Sequence, residues 1–222
     1  MKQRVESMNI VSCNVGVPQN YEFEGKTVST SMIRHPQNSI QVKTLQVQGD
    51  VFTSPQLHGT PETVVYALST ESYSHWSKAL SQPMKLGHFG ENLSVEGLLE
   101  ESFYIDDIWQ AGTTKLKVTG PRYPCNRLNF VTKRSDMREL FAEYAKPGVY
   151  FSVVSEGVIH PQNQLKLIQR SQDQLHVLDV YLAMRASEKK LPRIPSVDKV
   201  LNYSPLWARY RDRVAEQFPP HF

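Results

Sequence analysis

Cysteine is nearly absent from this chain: Cys13 and Cys125 are the only two in 222 residues. Two thiols build no disulfide framework, so a reducing cytoplasm is the expected setting, and their spacing fits no zinc pattern. The four-cysteine run of an iron–sulfur protein and the GxGxxG fingerprint of a dinucleotide fold are missing too. No apolar stretch is long enough to span a bilayer, and Met1-Lys2-Gln3-Arg4-Val5 has no signal-peptide hydrophobic block, so no membrane partner is expected. Basic residues exceed acidic ones by only three, and no run of Lys or Arg forms an arm. That balance excludes a long polyanion such as nucleic acid and suits a local anion site better.

Hydrophobic residues make up 40% of the chain and charged ones 21%, enough for a globular protein with a real core. Strand-like runs come first. Met8 to Val15 is apolar-rich, and Ile40 to Val47 carries a phase slip that suggests a bulge. Thr63 to Leu68 is an uninterrupted apolar segment, the mark of a strand covered on both faces. Thr114 to Thr119 alternates, with Leu116 and Val118 on one face, and Val149 to Val154 is rich in β-branched and aromatic residues. Pro18 to Gly25 reads as a loose loop. Two helices interrupt the strands: one capped by Ser69 or Thr70 and running to about Leu80, the other capped by Ser135 and stopped by Pro147-Gly148. After Arg170 the strand signals end. Gln174 to Ser187 shows Leu175, Leu178, Leu182 and Ala186 at helical spacing, Ser196 caps a short helix through Asn202, and Ser204-Pro205 opens a third with Leu206, Tyr210, Val214 and Phe218 every fourth residue. The expected layout is a mostly β domain over residues 1–170 and a small three-helix unit over 171–222.

The segment Pro121-Arg122-Tyr123-Pro124-Cys125-Asn126-Arg127 carries the most chemistry. Each proline fixes its own φ and biases the residue before it toward extended geometry, so the thiol sits on a stiff backbone. Nearby guanidinium charge favours thiolate, the form that attacks electrophiles or binds a soft metal. On these residues alone two readings stay open: a reactive thiolate, or a buried cysteine in a proline-rich turn beside two solvated arginines.

Three segments together resemble the MOSC domain, the fold at the C-terminus of molybdenum-cofactor sulfurases. They are Phe89-Gly90-Glu91-Asn92-Leu93 followed by Gly97-Leu98 and Glu100, then Gly120 to Leu128, then Gly148-Val149-Tyr150-Phe151 through Gly157. Thr30 with Arg34, and His58-Gly59, fall where that family has a Thr…Lys pair and a His-Gly-Gly. The three trailing helices make the layout similar to the bacterial YiiM-like branch, the hydroxylaminopurine-resistance proteins. This chain departs from the family at Arg34, at Thr60-Pro61 and at His160-Pro161-Gln162-Asn163.

The resemblance implies a MOSC β-barrel with peripheral helices and a C-terminal three-helix bundle. It also implies that Cys125 holds the molybdenum of a molybdopterin cofactor, a role a soft thiolate suits. For the cofactor's phosphate and pterin edge the candidates are Arg34, Arg122 and Asn126, with Thr30, His58 and Asn92 behind them. The implied reaction is reduction of an N-hydroxylated base to the amine, with electrons from a separate flavin reductase or ferredoxin. A cofactor carrier without turnover is the alternative, and a metal-free thiol enzyme using Cys125 is a third. The helical bundle offers a surface for the electron donor or for homodimer formation. A pyridoxal-phosphate domain does not fit in 222 residues, so cysteine desulfuration is not expected.

Overall fold

Strand-forming segments joined by short turns occupy most of the chain before residue 170. The computed structural model describes residues 7–53, 59–172 and 174–219, and in it those segments close into a ring. The strands are β1 (Ser7–Val15), β2 (Gln19–Phe23), β3 (Lys26–Thr30), β4 (His35–Gln37), β5 (Ile40–Lys43), β6 (Gln46–Val47), β7 (Val65–Ser69), β8 (Leu93–Glu96), β9 (Ile108–Ala111), β10 (Thr114–Pro121), β11 (Val149–Ser155), β12 (Gly157–Ile159) and β13 (Gln164–Gln169). The helices are α1 (Glu71–Ala79), α2 (Arg127–Thr132), α3 (Met137–Tyr144), α4 (Val177–Glu188), α5 (Pro195–Asn202) and α6 (Ala208–Ala215). The barrel runs β13-β9-β10-β11-β7-β8-β1, and β1 closes it by pairing Ser7 to Asn9 with β13. The far half of β1, from Cys13 to Val15, pairs with β4 instead. The fold is mostly β with peripheral helices, as the sequence implies.

All barrel pairs are antiparallel except β7 and β8, which run parallel with Ala67 opposite Leu93. Parallel neighbours cannot be joined by a tight turn. The connection between these two therefore leaves the sheet, forms α1, and returns through the Phe89–Leu93 turn. That detour is what places α1 and the turn against the outside of the barrel.

Strand parity divides the core. On β7, Val65 and Ala67 point into the barrel with Ile10, Trp109 and Phe151, while Tyr66 and Leu68 point outward into a second cluster with Trp76, Phe89 and Phe141. This explains the unbroken apolar run: both faces are covered. Trp76 and Phe141 stack with centroids 5.8 Å apart. Helices α4 to α6 share the barrel's own core, because Val180, Met184, Val197 and Val214 join the same apolar cluster as Val118 and Phe151.

Several local expectations need correction. Residues 40–47 form a hairpin, β5 and β6, and the phase slip is the turn at Thr44-Leu45, not a bulge. Pro18 to Gly25 is no loose loop: β2 and β3 pair from Gln19–Thr30 to Phe23–Lys26, around Glu24 (φ 50°) and Gly25 (φ 71°). Successive positive φ values are the geometry that fits a two-residue hairpin turn. Helix α4 starts at Val177, and its buried face is Val177, Val180, Tyr181 and Met184, whereas Leu182 is 39% exposed. Ser196 does not cap α5, since Pro195 already opens that helix; the Ser196 hydroxyl donates to Asp179 (2.7 Å). Ser204-Pro205 lies in a turn, and α6 begins at Ala208. Cys13 is a core residue whose thiol pKa burial pushes up to about 12.

The corrected phase of α4 is testable by urea unfolding. Met184→Ala should cost about 2–5 kcal/mol as a buried truncation. Leu182→Ala should stay within about 0.5 kcal/mol, and equal losses would restore the leucine stripe as the buried face.

Candidate functional site

The register brings the ends of several strands to one level: Cys13 opposite Leu93, Leu93 beside Ala67, Ala67 opposite Val149, and Val149 opposite Pro121. At this end of the barrel a small cleft, with a cavity volume of about 60 Å³ and open to solvent, lies against the outer wall. Its floor is Tyr66 and Tyr150, the outward-facing neighbours on β7 and β11, with ring centroids 5.1 Å apart. Thr30 to Met32, Arg34, Gly90, Asn92, Arg122 and Arg127 are among the residues that line it.

Arg34 is the feature that sequence alone cannot weigh. It is 7% exposed, and its Nη2 pairs with Asp50 at 3.0 Å. Its Nε and Nη1 are buried with no acceptor among the described residues. The loop bearing Arg34 is packed hard against the turn that carries Gly87. The Arg34 amide donates to the Gly87 carbonyl (3.0 Å), and a Cβ on Gly87, at φ +89°, would sit 2.3 Å from the Arg34 carbonyl. Only glycine allows that approach. Asp50 is in turn fixed by the Gly16 amide (2.7 Å) and by Asn92 Nδ2 (2.8 Å).

Asn92 was a candidate for the pterin edge. Its Nδ2 also reaches the Asn14 carbonyl (3.3 Å), and its Oδ1 accepts the Tyr66 amide (3.1 Å). Both amide hydrogens and the oxygen are thus engaged in tying β1, β7 and Asp50 together. Asn92 lines the cleft as a strut.

Glu91 anchors the same turn from below. Its Oε1 accepts from the Tyr73 hydroxyl, the Gly87 amide (2.7 Å) and the Ser94 hydroxyl (2.7 Å). Burial raises its pKa above the ordinary glutamate value, against the lowering effect of those donors.

Arg122 is 5% exposed and enters the cleft from the end of β10. Its Nη1 donates to the Phe89 carbonyl, its Nη2 faces Met32 Sδ (3.7 Å), and the guanidinium lies over the Tyr66 ring at 5.0 Å. Burial works against its charge, yet Tyr66, Tyr150 and Cys125 within electrostatic reach outweigh burial and hold its pKa above the usual arginine value. Burial likewise raises the phenol pKa of Tyr66 and of Tyr150.

Cys125 is half-buried beside the cleft, not in its lining. It packs against the outer cluster that contains Met32 and Tyr66, within electrostatic reach of Arg122 and Tyr150. Immediately after it the chain turns into α2, a helix the sequence reading did not foresee, which turns Arg127 into the cleft.

Of the candidate residues, the structure gathers Thr30, Arg34, Asn92 and Arg122 in one cleft next to Cys125. Thr30 Oγ1 accepts the Met32 amide (3.2 Å). Asn126 is exposed and lines no part of the cleft; its carbonyl accepts the Asn129 amide (3.0 Å). His58 lies outside the described residues. Sequence reasoning missed Asp50, Tyr66 and Tyr150. The alternation of β7 and β11 could have exposed the two tyrosines as outward-facing, but Asp50 left no signal beyond following Gly49.

The MOSC domain pattern matches residues 54–166, half of the chain. The chain is 30% identical over 153 residues to Protein YiiM of Escherichia coli, 68% of each protein. This chain belongs to the MOSC domain family. The MOSC protein is also 29% identical over 215 residues to the uncharacterized protein YflK of Bacillus subtilis, covering 95% of this chain and 94% of YflK. Its structure is similar to that of YiiM from Geobacillus stearothermophilus, with a TM-score of 0.75 and 26% identity over 95% of this chain and 98% of that one. These likenesses place it in the YiiM-like branch. No helix among the described residues is long and apolar enough to cross a membrane.

Two predictions come from this geometry. Asp50→Asn removes the carboxylate facing a buried guanidinium and should cost about 3–5 kcal/mol of unfolding free energy. A loss below about 1 kcal/mol in urea titration would mean that Arg34 is solvated instead. For Glu91 the folded pKa lies above the unfolded one. Its contribution to stability is therefore full below the ordinary carboxyl pKa and is lost as pH rises through the folded value. Glu91→Gln keeps an oxygen for the three donors and should gain melting temperature relative to wild type as pH rises over that window. A difference independent of pH would contradict the assignment.

Proposed function

We propose that this MOSC protein binds a molybdenum cofactor at the cleft and uses it to reduce N-hydroxylated bases, such as N-hydroxylated purines, to amines. The observation that carries the reading is the buried Arg34 guanidinium in the cleft's lining, whose Nε and Nη1 find no acceptor among the described residues. Unpartnered buried donors of a cation call for an anionic oxygen, and a phosphate can supply several. Arg122 adds a second buried cation about the same space.

The donor set suits a metal that arrives with ligands of its own. Among the described residues no group of three His, Cys, Asp or Glu could hold a bare ion, so one thiolate at Cys125 is what the chain offers. The bound cofactor would supply two-electron redox chemistry. Around it, Arg34 and Arg122 would bind the phosphate, and Asp50 and Asn92 would keep Arg34 in place. Tyr150, held protonated by burial, would present a hydroxyl donor at the floor. The overall change, R–NHOH + 2 electrons + 2 protons to R–NH2 + H2O, needs an external electron donor. A separate flavin reductase or ferredoxin would fill that part.

The test is elemental and pterin analysis of protein expressed in a cofactor-competent host. Cys125→Ala should lose its molybdenum, and Arg34→Gln should retain about tenfold less pterin, in line with one or two lost charge-assisted hydrogen bonds. Equal molybdenum in wild type and Cys125→Ala would end the proposal. Loaded wild-type protein, given a reductase and hydroxylaminopurine, should form adenine. Loading without turnover would leave the carrier reading.

A further inference from the structure

The residues leading into Cys125 are gripped from one side by the barrel and from the other by the C-terminal helices. Tyr210 on α6 donates its hydroxyl to the Pro121 carbonyl at 2.7 Å and is 4% exposed. Its ring takes the space beside Gly120: a Cβ there would lie 2.3 Å from Tyr210 Cε2. Two residues further on, the Tyr123 hydroxyl donates to Glu188 at the end of α4. The Arg213 guanidinium of α6 covers the Tyr123 ring at 4.1 Å. Glu188 itself is held by Arg138 of α3 and by Arg213 (3.6 Å). Backbone, hydroxyl and ring contacts therefore fall on Gly120, Pro121 and Tyr123, the positions that set where Cys125 lies relative to Arg122.

We propose that the C-terminal helices act as a clamp on the Cys125 segment, with Tyr210 and Glu188 as positioning residues for the thiol. The reading of Cys125 as the working sulfur is taken from the proposed function. The mechanical part stands on the contacts alone. Prolines at 121 and 124 stiffen the segment internally, but stiffness does not place it. Placement needs fixed external points, and the two hydroxyl hydrogen bonds supply them. Thiolate stability depends on the distance to neighbouring cations, so a released segment changes the reactivity of the thiol.

The experiment uses full-length, metal-free protein and follows alkylation of Cys125 by iodoacetamide as a function of pH, read by peptide mass. Cys13 reports separately as its own peptide. Tyr210→Phe keeps the ring that fills the space at Gly120 and removes only the hydroxyl. Tyr210→Phe and Tyr123→Phe should each displace the Cys125 rate–pH profile by about fivefold in rate, the equivalent of one lost hydrogen bond. Glu188→Gln keeps an oxygen for the Tyr123 hydroxyl but loses the charge that Arg138 and Arg213 hold, so it should also displace the profile, by less than Tyr123→Phe. If Glu188→Gln fails to fold, Tyr123→Phe tests that contact without disturbing the helix charges. Asp198→Asn opens the exposed Arg193–Asp198 pair on α5 and should superimpose on wild type. Profiles of all three hydroxyl and carboxylate variants coinciding with wild type would overturn the clamp. That outcome leaves the molybdenum dependence on Cys125 intact, whereas loss of the latter with shifted profiles would remove the cofactor reading and keep the clamp.

Discussion

A guanidinium buried against a single carboxylate is the constraint from which the rest of this site can be reasoned. Removing a charge from water is costly, and the Arg34–Asp50 pair answers the cost on one edge of the fork only. The protein then commits a second tier of groups to the pair. The Gly16 amide and the Asn92 amide hold Asp50, and the Gly87 carbonyl fixes the backbone of Arg34. So many local interactions converge on an ion pair that a wholly hydrophobic substitute would often match for stability. Their common effect is to fix the Arg34 guanidinium in the wall of the cleft. Preorganised donors bind an anion without the ordering cost a flexible lysine would bear, and this gives the arginine at this position a physical meaning.

The cleft exists because one crossover interrupts an antiparallel barrel. Joining β7 to its parallel neighbour β8 requires a long excursion, and the excursion brings α1 and the Phe89–Leu93 turn over the outer wall. Strand alternation does the rest. Tyr66 and Tyr150 face out because Val65, Ala67, Val149 and Phe151 face in. A one-residue slip of β7 against β11 would send the tyrosines into the barrel and erase the floor, so core packing and site geometry are specified by the same register.

Much of this was legible in the sequence, and the failures have physical causes. The apolar-rich runs at β1, β7 and β11 and the alternation at β10 showed through because burial selects their residues directly. The Ile40–Val47 slip misled because a tight turn and a bulge both shift parity by interrupting it. Leu175, Leu178, Leu182 and Ala186 at helical spacing suggested a stripe, and Leu175 and Ala186 are indeed buried, yet α4 also buries the neighbouring face of valine, tyrosine and methionine, and Leu182 is 39% exposed. Composition could not decide between two faces that are both apolar. At the site, Cys125, Arg34 and Arg122 were found through motif and charge. Asp50 was invisible because its importance lies in contacts far along the chain. Asn92 showed as a polar residue in a conspicuous turn, but only coordinates reveal that its amide has no bond left to give a ligand.

The electrostatics of the cleft narrow what can occupy it. Two buried guanidiniums, Arg34 and Arg122, line the cleft, and one buried carboxylate, Asp50, pairs with the first of them. Tyr66 and Tyr150 cannot restore the balance by ionising, since their phenol pKa values are raised by burial. The excess is positive and partly dehydrated, and in such surroundings an anion is bound more strongly than at the surface. A neutral base alone would leave the Arg34 donors unanswered. Under the proposed function, a ligand that satisfies Arg34 and also reaches Cys125 carries negative charge at one end and a centre able to accept a soft sulfur at the other. The two residues sit on separately supported parts of the fold, Arg34 on the turn held by Gly87 and Asp50, Cys125 after the end of β10.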